Sequence, residues 1–367
     1  MRLLTIPIIL AAALAAVPAL EGQGPTSLPV RSLTLKSDHI GLADALAAIK
    51  RQTGTAVVDR RSAQRKDDLR LDLDRATFWQ GLDAIARQAD ARISLYQEDG
   101  TIALVNGPYR TLPTSMHGIF RTTVRRLAVA RNLETARDVC TIEVETAWEP
   151  WFQPFLMEIG PATARYLGPM NRPVAATIAG QGRFRVAGRA SVTELRMPAP
   201  PRAAQLIDML AGSFKIIGPT RMLVFRFDEL KPTSKKPLGS RQDGVKVELT
   251  RILSDPEKWS FDLRIENPPG GPTYESHQAD LWMRDNRIWL QKGDGKSAVI
   301  WKHSGAEEPL QENQDARRSA VRYHFPLGDS SAVRNAGKPE DWSLRYTTPG
   351  PIVETRVEFS FKDLPLP

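Results

Sequence analysis

The stretch GLADALAAIKRQTGTAVVD (residues 41–59) has the pattern of a helix that ends at a glycine and leads directly into a strand. Gly54 stands where a helix end requires a left-handed backbone, which glycine adopts most easily. Val57 and Val58 follow and favour a strand. The apolar residues before the glycine recur at the spacing of one buried helix face: Leu42, Ala45, Leu46 and Ile49.

A second copy of this pattern follows in ATFWQGLDAIARQADARISLY (residues 76–96). Thr77 is placed to cap the start of its helix, and Ile93 lies in the following strand. The alternating segments SLTL (32–35) and LRLDLD (69–74) precede the two helices, and GTIALV (100–105) closes a final hairpin. The order is therefore β-α-β, β-α-β-β, which predicts a small α+β module over residues 31–106.

This module resembles the short N-terminal domain, called STN, of secretins and TonB-dependent receptors. The resemblance lies in the ALxxLxxQTG-like helix end, the charged middle strand and the second helix that leads into a hairpin. It implies a docking module of the cell envelope, without catalytic residues. The wet side of LRLDLD, with Arg70, Asp72 and Asp74, is the candidate edge for binding a partner by strand addition.

The first residues, MRLLTIPIILAAALAAVPAL, combine an early arginine, an apolar run and small residues at Val17-Pro18-Ala19. This pattern predicts a signal peptide at 1–19 and an extracytoplasmic protein, periplasmic or secreted. An uncleaved anchor is the alternative, because the run from Leu3 to Leu20 is just long enough to span a bilayer. We favour cleavage and expect no transmembrane segment after it.

The composition restricts the classes of partner that the chain is expected to bind. The chain has 367 residues, enough for two or three domains, and its one cysteine, Cys140, excludes an intrachain disulfide. Its net charge is +8, but the arginines are scattered and no nucleic-acid-binding motif is present. We therefore expect no nucleic-acid partner and interpret the charge as a bias toward anionic surfaces, such as an anionic polysaccharide.

Two β-rich blocks follow the module, at 119–230 and 244–367, separated by the polar segment 231–243, which predicts a linker. The blocks end on similar phrases, VFRFDEL (224–230) and EFSFKDL (358–364). These parallels predict tandem copies of one sandwich fold. The strand pattern of the second block is similar to immunoglobulin-like sandwiches of exported bacterial proteins. The expected fold class is thus a small α+β N-terminal module followed by two tandem immunoglobulin-like β-sandwiches, mainly β overall.

The sequence contains no motif of a hydrolase, a P-loop or a Cys/His metal site, and its five histidines are far apart. Glu275 and His277 would share one strand face, an acid–base geometry for which a solvated polar face is the alternative interpretation. We predict no catalytic residues, no cofactor and no metal.

The segment AWEPWFQPF (147–155) gathers aromatic residues around two prolines. Trp148, Trp151 and Phe152 are the candidate binding residues, as an exposed platform for a sugar ring or a partner protein. The alternative is that these rings close the end of a sandwich core.

Three functions remain open from the sequence. The first is a non-enzymatic envelope scaffold whose residues 31–106 dock a protein partner. The second is a carbohydrate- or cell-wall-binding protein that uses the aromatic segment and the positive charge. The third is a hydrolase whose residues assemble only in the fold.

Overall fold

The computed structural model describes residues 28–62, 67–134, 137–167, 173–178, 182–233, 236–268, 286–303, 307–310, 318–327 and 336–367. The expected signal peptide, Glu275 and His277 lie outside these residues. Within the described residues the protein is mainly β, with two α-helices and twenty-three strands. No helix in this part of the chain has the length and apolarity needed to cross a membrane.

The residues of the doubled pattern form two strand–helix–strand units. Thr77 caps the second helix: its hydroxyl accepts a hydrogen bond from the backbone of Gln80, whose side chain reciprocates in a capping box. Gly54 ends the first helix with φ of 76°. The elements are β1 (Ser32–Gly41), α1 (Leu42–Thr53), β2 (Val57–Asp59), β3 (Asp68–Thr77), α2 (Phe78–Gln88), β4 (Arg92–Ser94) and β5 (Ile102–Val105).

The two units are related by an offset of 36 residues, since β1 starts at Ser32 and β3 at Asp68. Strands β1 and β3 pair antiparallel, and Lys36 lies opposite Asp72, its own equivalent in the repeat. Adding the offset to one residue of a pair and subtracting it from the other gives a second pair of the ribbon. For example, Leu35 pairs with Leu73, and their repeat equivalents, Leu71 and Ser37, also pair. The β1–β3 ribbon therefore has a local twofold axis through the Lys36–Asp72 pair. The second sheet, in the order β2-β5-β4, completes the unit.

Steric crowding explains why position 81, inside α2, is a glycine. A Cβ at this position would overlap with Cδ2 of Leu33, which projects from β1 onto the helix. The equivalent position in α1 is Ala45, which is fully buried. Both helices thus carry a small residue where the ribbon packs closest, which offsets the intrinsic cost of a helical glycine.

Two sheets then enclose the first β core. One has the order β12-β8-β7-β6, and the other β10-β9-β13-β23, with β11 also paired to β9. Apolar side chains of both sheets meet between them, including Trp148, Phe214 and Phe359. The strands are β6 (Thr114–His117), β7 (Phe120–Asn132), β8 (Arg137–Trp148), β9 (Leu156–Leu167), β10 (Pro173–Ile178), β11 (Arg183–Arg185), β12 (Ala190–Pro198), β13 (Leu206–Pro219) and the last strand of the chain, β23 (Ile352–Pro365).

A second pair of sheets has the orders β14-β22-β18-β19 and β15-β16-β17-β21-β20. Its core contains Trp259, Trp301 and Trp342 in mutual contact, with ring centres 5.5 to 6.5 Å apart. The strands are β14 (Met222–Phe227), β15 (Leu238–Gln242), β16 (Val245–Ser254), β17 (Lys258–Glu266), β18 (Arg287–Lys292), β19 (Val299–Lys302), β20 (Glu307–Pro309), β21 (Arg318–Pro326) and β22 (Ser343–Pro349). Two short 3-10 helices, Gly295–Ser297 and Pro339–Asp341, lie between strands.

The strand pairing crosses the block boundaries expected from the sequence. Strand β14 lies inside the expected first block but pairs with β22, and β23 lies inside the expected second block but pairs with β13. The segment 224–230, at the end of the first block, thus contributes to a sheet of the second block. The segment 358–364, at the end of the second block, contributes to a sheet of the first. The expected linker 231–243 also contains β15, which pairs with β16. Alternation alone could not assign these strands, because it is the same in either sandwich.

Candidate functional site

The outer face of the β1–β3 ribbon carries the predicted binding residues Arg70, Asp72 and Asp74, and all three are exposed. Arg70 pairs with Asp38 at 3.1 Å and Asp72 with Lys36 at 3.5 Å. Each of these side chains is more than 60% exposed, so each pair is expected to contribute less than about 1 kcal/mol to stability. Such weakly held charges remain able to exchange their partners for groups on another protein.

The edges of this ribbon are not open at their centres. The Gln88 side chain accepts a hydrogen bond from the backbone N–H of Arg70 at 2.7 Å and donates one to its carbonyl oxygen. Gln52, its repeat equivalent, holds both backbone groups of Thr34 at 2.8 and 2.9 Å. Strand addition at Arg70 would have to displace Gln88. The ribbon therefore offers its side chains to a partner more readily than its backbone.

The aromatic segment does not form an exposed platform. Trp148 and Phe152 are fully buried in the first β core, and Trp151 is partly buried against it. The free face of Trp151 is covered by the Arg31 guanidinium, 5.4 Å from the ring centre. The rings close the end of the core, which agrees with the alternative interpretation from the sequence.

This segment contains a buried carboxyl group that sequence reasoning missed. Glu149 is 0% exposed; its Oε2 accepts a hydrogen bond from Trp151 Nε1 at 2.8 Å, and its Oε1 has no hydrogen-bond partner among the described residues. Burial raises the pKa of Glu149 to about 7, against the opposing effects of the Trp151 hydrogen bond and the Arg31 charge. An acidic residue between two tryptophans was the available sequence signal.

Residues 149–151 adjoin the junction, by which we mean the contact between the repeat module and the sheet β12-β8-β7-β6. Ala147 and Ala190 of that sheet belong to the core of the module. Arg189 bridges the two parts, donating to the carbonyl oxygens of Gly100 at 2.9 Å and Pro150 at 2.8 Å.

Helix α2 supplies two contacts of the junction. Trp79 Nε1 donates to the carbonyl oxygen of Ile119 at 2.9 Å, and Arg121 donates two hydrogen bonds of 3.1 Å to the Asp83 carboxylate. The repeat equivalents of Trp79 and Asp83 in α1 are Ala43, which is exposed, and Ala47, which is half-buried. This difference between the copies was a readable signal, because it marks the helix that packs on the sandwich.

A third contact of the junction joins Tyr96 to the outer side of β8. The Tyr96 hydroxyl donates to Glu145 Oε2 at 2.7 Å, and Arg125 Nη1 binds both carboxylate oxygens at 2.9 and 3.0 Å. Partial burial of its hydroxyl and the hydrogen bond to Glu145 raise the pKa of Tyr96, although the residue as a whole is 60% exposed. Glu145 is buried but well paired, in contrast to Glu149.

The second pair of sheets brings together Ser260, His324 and Glu308, which sequence reasoning also missed. Ser260 Oγ lies 2.8 Å from His324 Nδ1, and His324 Nε2 lies 3.5 Å from Glu308 Oε2. The order hydroxyl, imidazole and carboxyl is that of a hydrolytic relay, but the two ring nitrogens are exchanged relative to the serine-protease arrangement. However, Ser260 is 2% exposed, so a substrate carbonyl cannot reach its hydroxyl in this arrangement. The three residues are neighbours across paired strands, a relation that local sequence does not reveal.

Among the described residues, no group of three or more potential ligands could hold a metal ion. No family model matches the chain, and no curated protein matches it. Among solved structures, the chain is similar to a conserved domain protein from Bacillus anthracis, at 10% identity and a TM-score of 0.15, over 69% of this chain and 90% of that chain. A TM-score this low supports no statement about fold or function.

Proposed function

We propose that the chain is an exported, non-enzymatic scaffold of the cell envelope that binds a protein partner through residues 31–106. In this proposal the module is STN-like, the two β cores are immunoglobulin-like, and the protein acts outside the cytoplasm, in the periplasm or as a secreted protein. The export pattern of residues 1–19 and the resemblance of the repeat support the location and the docking role.

The observation that carries the proposal is that one side of the module contacts the first sandwich whereas the other side is exposed. Helix α2 and the loop at Tyr96 are engaged by the junction. The outer face of the ribbon, in contrast, carries exposed charged residues held only in weak pairs: Lys36, Asp38, Arg70 and Asp72. Charged surfaces of this kind give a partner orientation and fast association.

The other two functions have less support. The carbohydrate-binding alternative loses its platform, because Trp148 and Phe152 are buried, and rests on the net charge of +8. The hydrolase alternative depends on His277, outside the described residues, or on Ser260, whose hydroxyl is enclosed.

Site-specific photo-crosslinking in the envelope of the native host tests the docking proposal. A benzophenone amino acid at Asp74 should give a discrete adduct with one protein. The same probe at Val224, an exposed residue of β14, is the matched control and should not give it. Arg70→Glu should weaken the Asp74 adduct, since it reverses a charge on the same face without touching the core.

An adduct from Asp74 that persists with Arg70→Glu and also forms from Val224 would contradict docking through this face. The absence of any adduct from Asp74, at expression levels where Val224 gives background labelling, would also reject it. Mass spectrometry of the Asp74 adduct identifies the partner if the expected result is obtained.

A further inference from the structure

Glu149, beside the junction, is a buried ionisable group that lacks a full set of partners among the described residues. Glu149 lies in the turn after β8, and its backbone N–H donates to the carbonyl oxygen of Ile119 at 3.2 Å. The same oxygen accepts the indole N–H of Trp79 from α2. One shared acceptor therefore connects the backbone of Glu149 to the helix that docks the module.

Two arginines lie near Glu149, and both donate hydrogen bonds to backbone carbonyl oxygens instead of to its carboxyl group. Arg31, from the chain before β1, donates to the carbonyl oxygen of Thr53 at 2.7 Å while it covers Trp151. Arg189, from the turn before β12, binds the carbonyl oxygens of Gly100 and Pro150. Of the two, only Arg31 contributes to the titration of Glu149, as a charge at a distance.

We propose that Glu149 makes the docking of the repeat module on the first sandwich pH-dependent, so that the junction is closed most firmly when this carboxyl group is protonated. A neutral carboxyl can be enclosed with one indole hydrogen bond at modest cost. A carboxylate enclosed with a single donor and an empty Oε1 is costly, and separation of the two parts returns it to water. This inference is independent of the proposed partner and concerns a device internal to the chain.

The direction and the pH window follow from proton linkage. The closed state holds the proton up to a pKa of about 7, whereas the ordinary value is 4.5. The open fraction should therefore rise with pH between these values and level off above pH 7. For one group with these two values, the opening equilibrium increases roughly fiftyfold between pH 5 and pH 7.5.

Thiol labelling of the full-length protein measures this equilibrium. Ala147, on the outer side of β8, is 1% exposed and lies under the module, so Ala147→Cys reacts only when the junction opens. Cys140→Ala leaves this probe as the only thiol. Labelling rates from pH 5 to pH 8.5 are divided by those of free cysteine at the same pH, which removes the titration of the thiol itself.

The corrected rate should rise roughly fiftyfold in the probe protein between pH 5 and pH 7.5 and remain flat with Glu149→Gln. Glu143→Gln, on β8 just before the turn that holds Glu149 and 29% exposed at its side chain, is the matched control and should keep the rise. Trp151→Phe removes the donor to the carboxylate and should extend the rise to higher pH. This variant keeps the test decisive if Glu149→Gln does not fold.

Three outcomes would overturn the proposal. The first is a flat profile in the probe protein. The second is the same rise with and without Glu149→Gln. The third is labelling that falls as the pH rises, because an ionised Glu149 that captured Arg31 would tighten the junction.

Discussion

Replacing Arg121 with methionine should destabilise the docked module strongly, although the substitution removes no large apolar group. Arg121 Nε and Nη2 each lie 3.1 Å from one oxygen of Asp83, and both side chains are 11% exposed. The substitution keeps most of the aliphatic volume of the arginine. Its main effect is to leave the Asp83 carboxylate in the junction with the Tyr109 hydroxyl, at 3.3 Å, as its remaining side-chain partner.

The magnitude follows from this loss of pairing. Removing one partner of a buried ion pair costs about 3–5 kcal/mol, because the other charge stays enclosed. The residual exposure and the Tyr109 hydroxyl lower that range, so we expect about 2–4 kcal/mol for Arg121→Met. The double variant Asp83→Leu with Arg121→Met removes both charges and should return to within about 1 kcal/mol of the natural protein. The coupling between the two sites should therefore exceed about 1.5 kcal/mol.

Native-state hydrogen exchange at the amides of α2 provides the assay, since it reports the opening of this helix without assuming two-state unfolding of the whole chain. Arg165→Met is the matched control: it breaks the pair with Asp208, whose side chains are 51% and 38% exposed, and should cost less than about 1 kcal/mol. A loss below 1 kcal/mol for Arg121→Met, or additive effects in the double-mutant cycle, would refute the reasoning.

Three other perturbations have defined outcomes. The free energy of unfolding should fall by about 2–3 kcal/mol between pH 4.5 and pH 7 through Glu149, and Glu149→Gln should abolish this difference in urea titrations, since its folded pKa is raised to about 7. Gln88→Ala should cost about 1 kcal/mol and lower the exchange protection of the Arg70 amide, and unchanged protection of that amide would contradict the role of Gln88 at this edge. Gly212→Ala should cost about 1–3 kcal/mol by thermal unfolding, because its Cβ would lie 2.6 Å from that of Ala162; a gain in stability would contradict the crowding.

The repeat module was the most predictable part of the fold because its signals are local. A glycine at one helix end, a capping threonine and two apolar stripes each act within a few residues, and each was found where the sequence placed it. The face that binds the sandwich was not predicted. Its residues, Trp79 and Asp83, meet Ile119 and Arg121, which lie about 40 positions away in the chain. No short-range pattern carries that information.

The aromatic segment shows a different limit of sequence reasoning. Composition correctly marked residues 147–155 as unusual but could not decide whether the rings face water or the core. Burial of Trp148 and Phe152 decides it, and the same burial changes the chemistry of Glu149, which had drawn no attention as an isolated acidic residue. The exposed charges of Arg70, Asp72 and Asp74 were placed correctly, since alternation along a half-buried strand fixes the wet side.

The two sandwiches exchange strands relative to the sequence blocks, so the chain crosses between them twice. Residues 206–219 pair with 352–365 in the first sandwich, and residues 222–227 pair with 344–349 in the second. The two crossings lie side by side, with the Thr220 amide donating to the Pro351 oxygen and the Gly350 amide to the Arg221 oxygen. A single antiparallel ribbon thus runs through both cores. Separating the sandwiches would break the hydrogen bonds at the two crossings, although each core would keep both of its ribbon strands. The two cores are therefore coupled by backbone pairing. Among the described residues, the hydrogen bonds between the repeat module and the first sandwich each use a side chain, at Trp79, Asp83, Glu145 and Arg189, and this is the contact that we propose one carboxyl group controls.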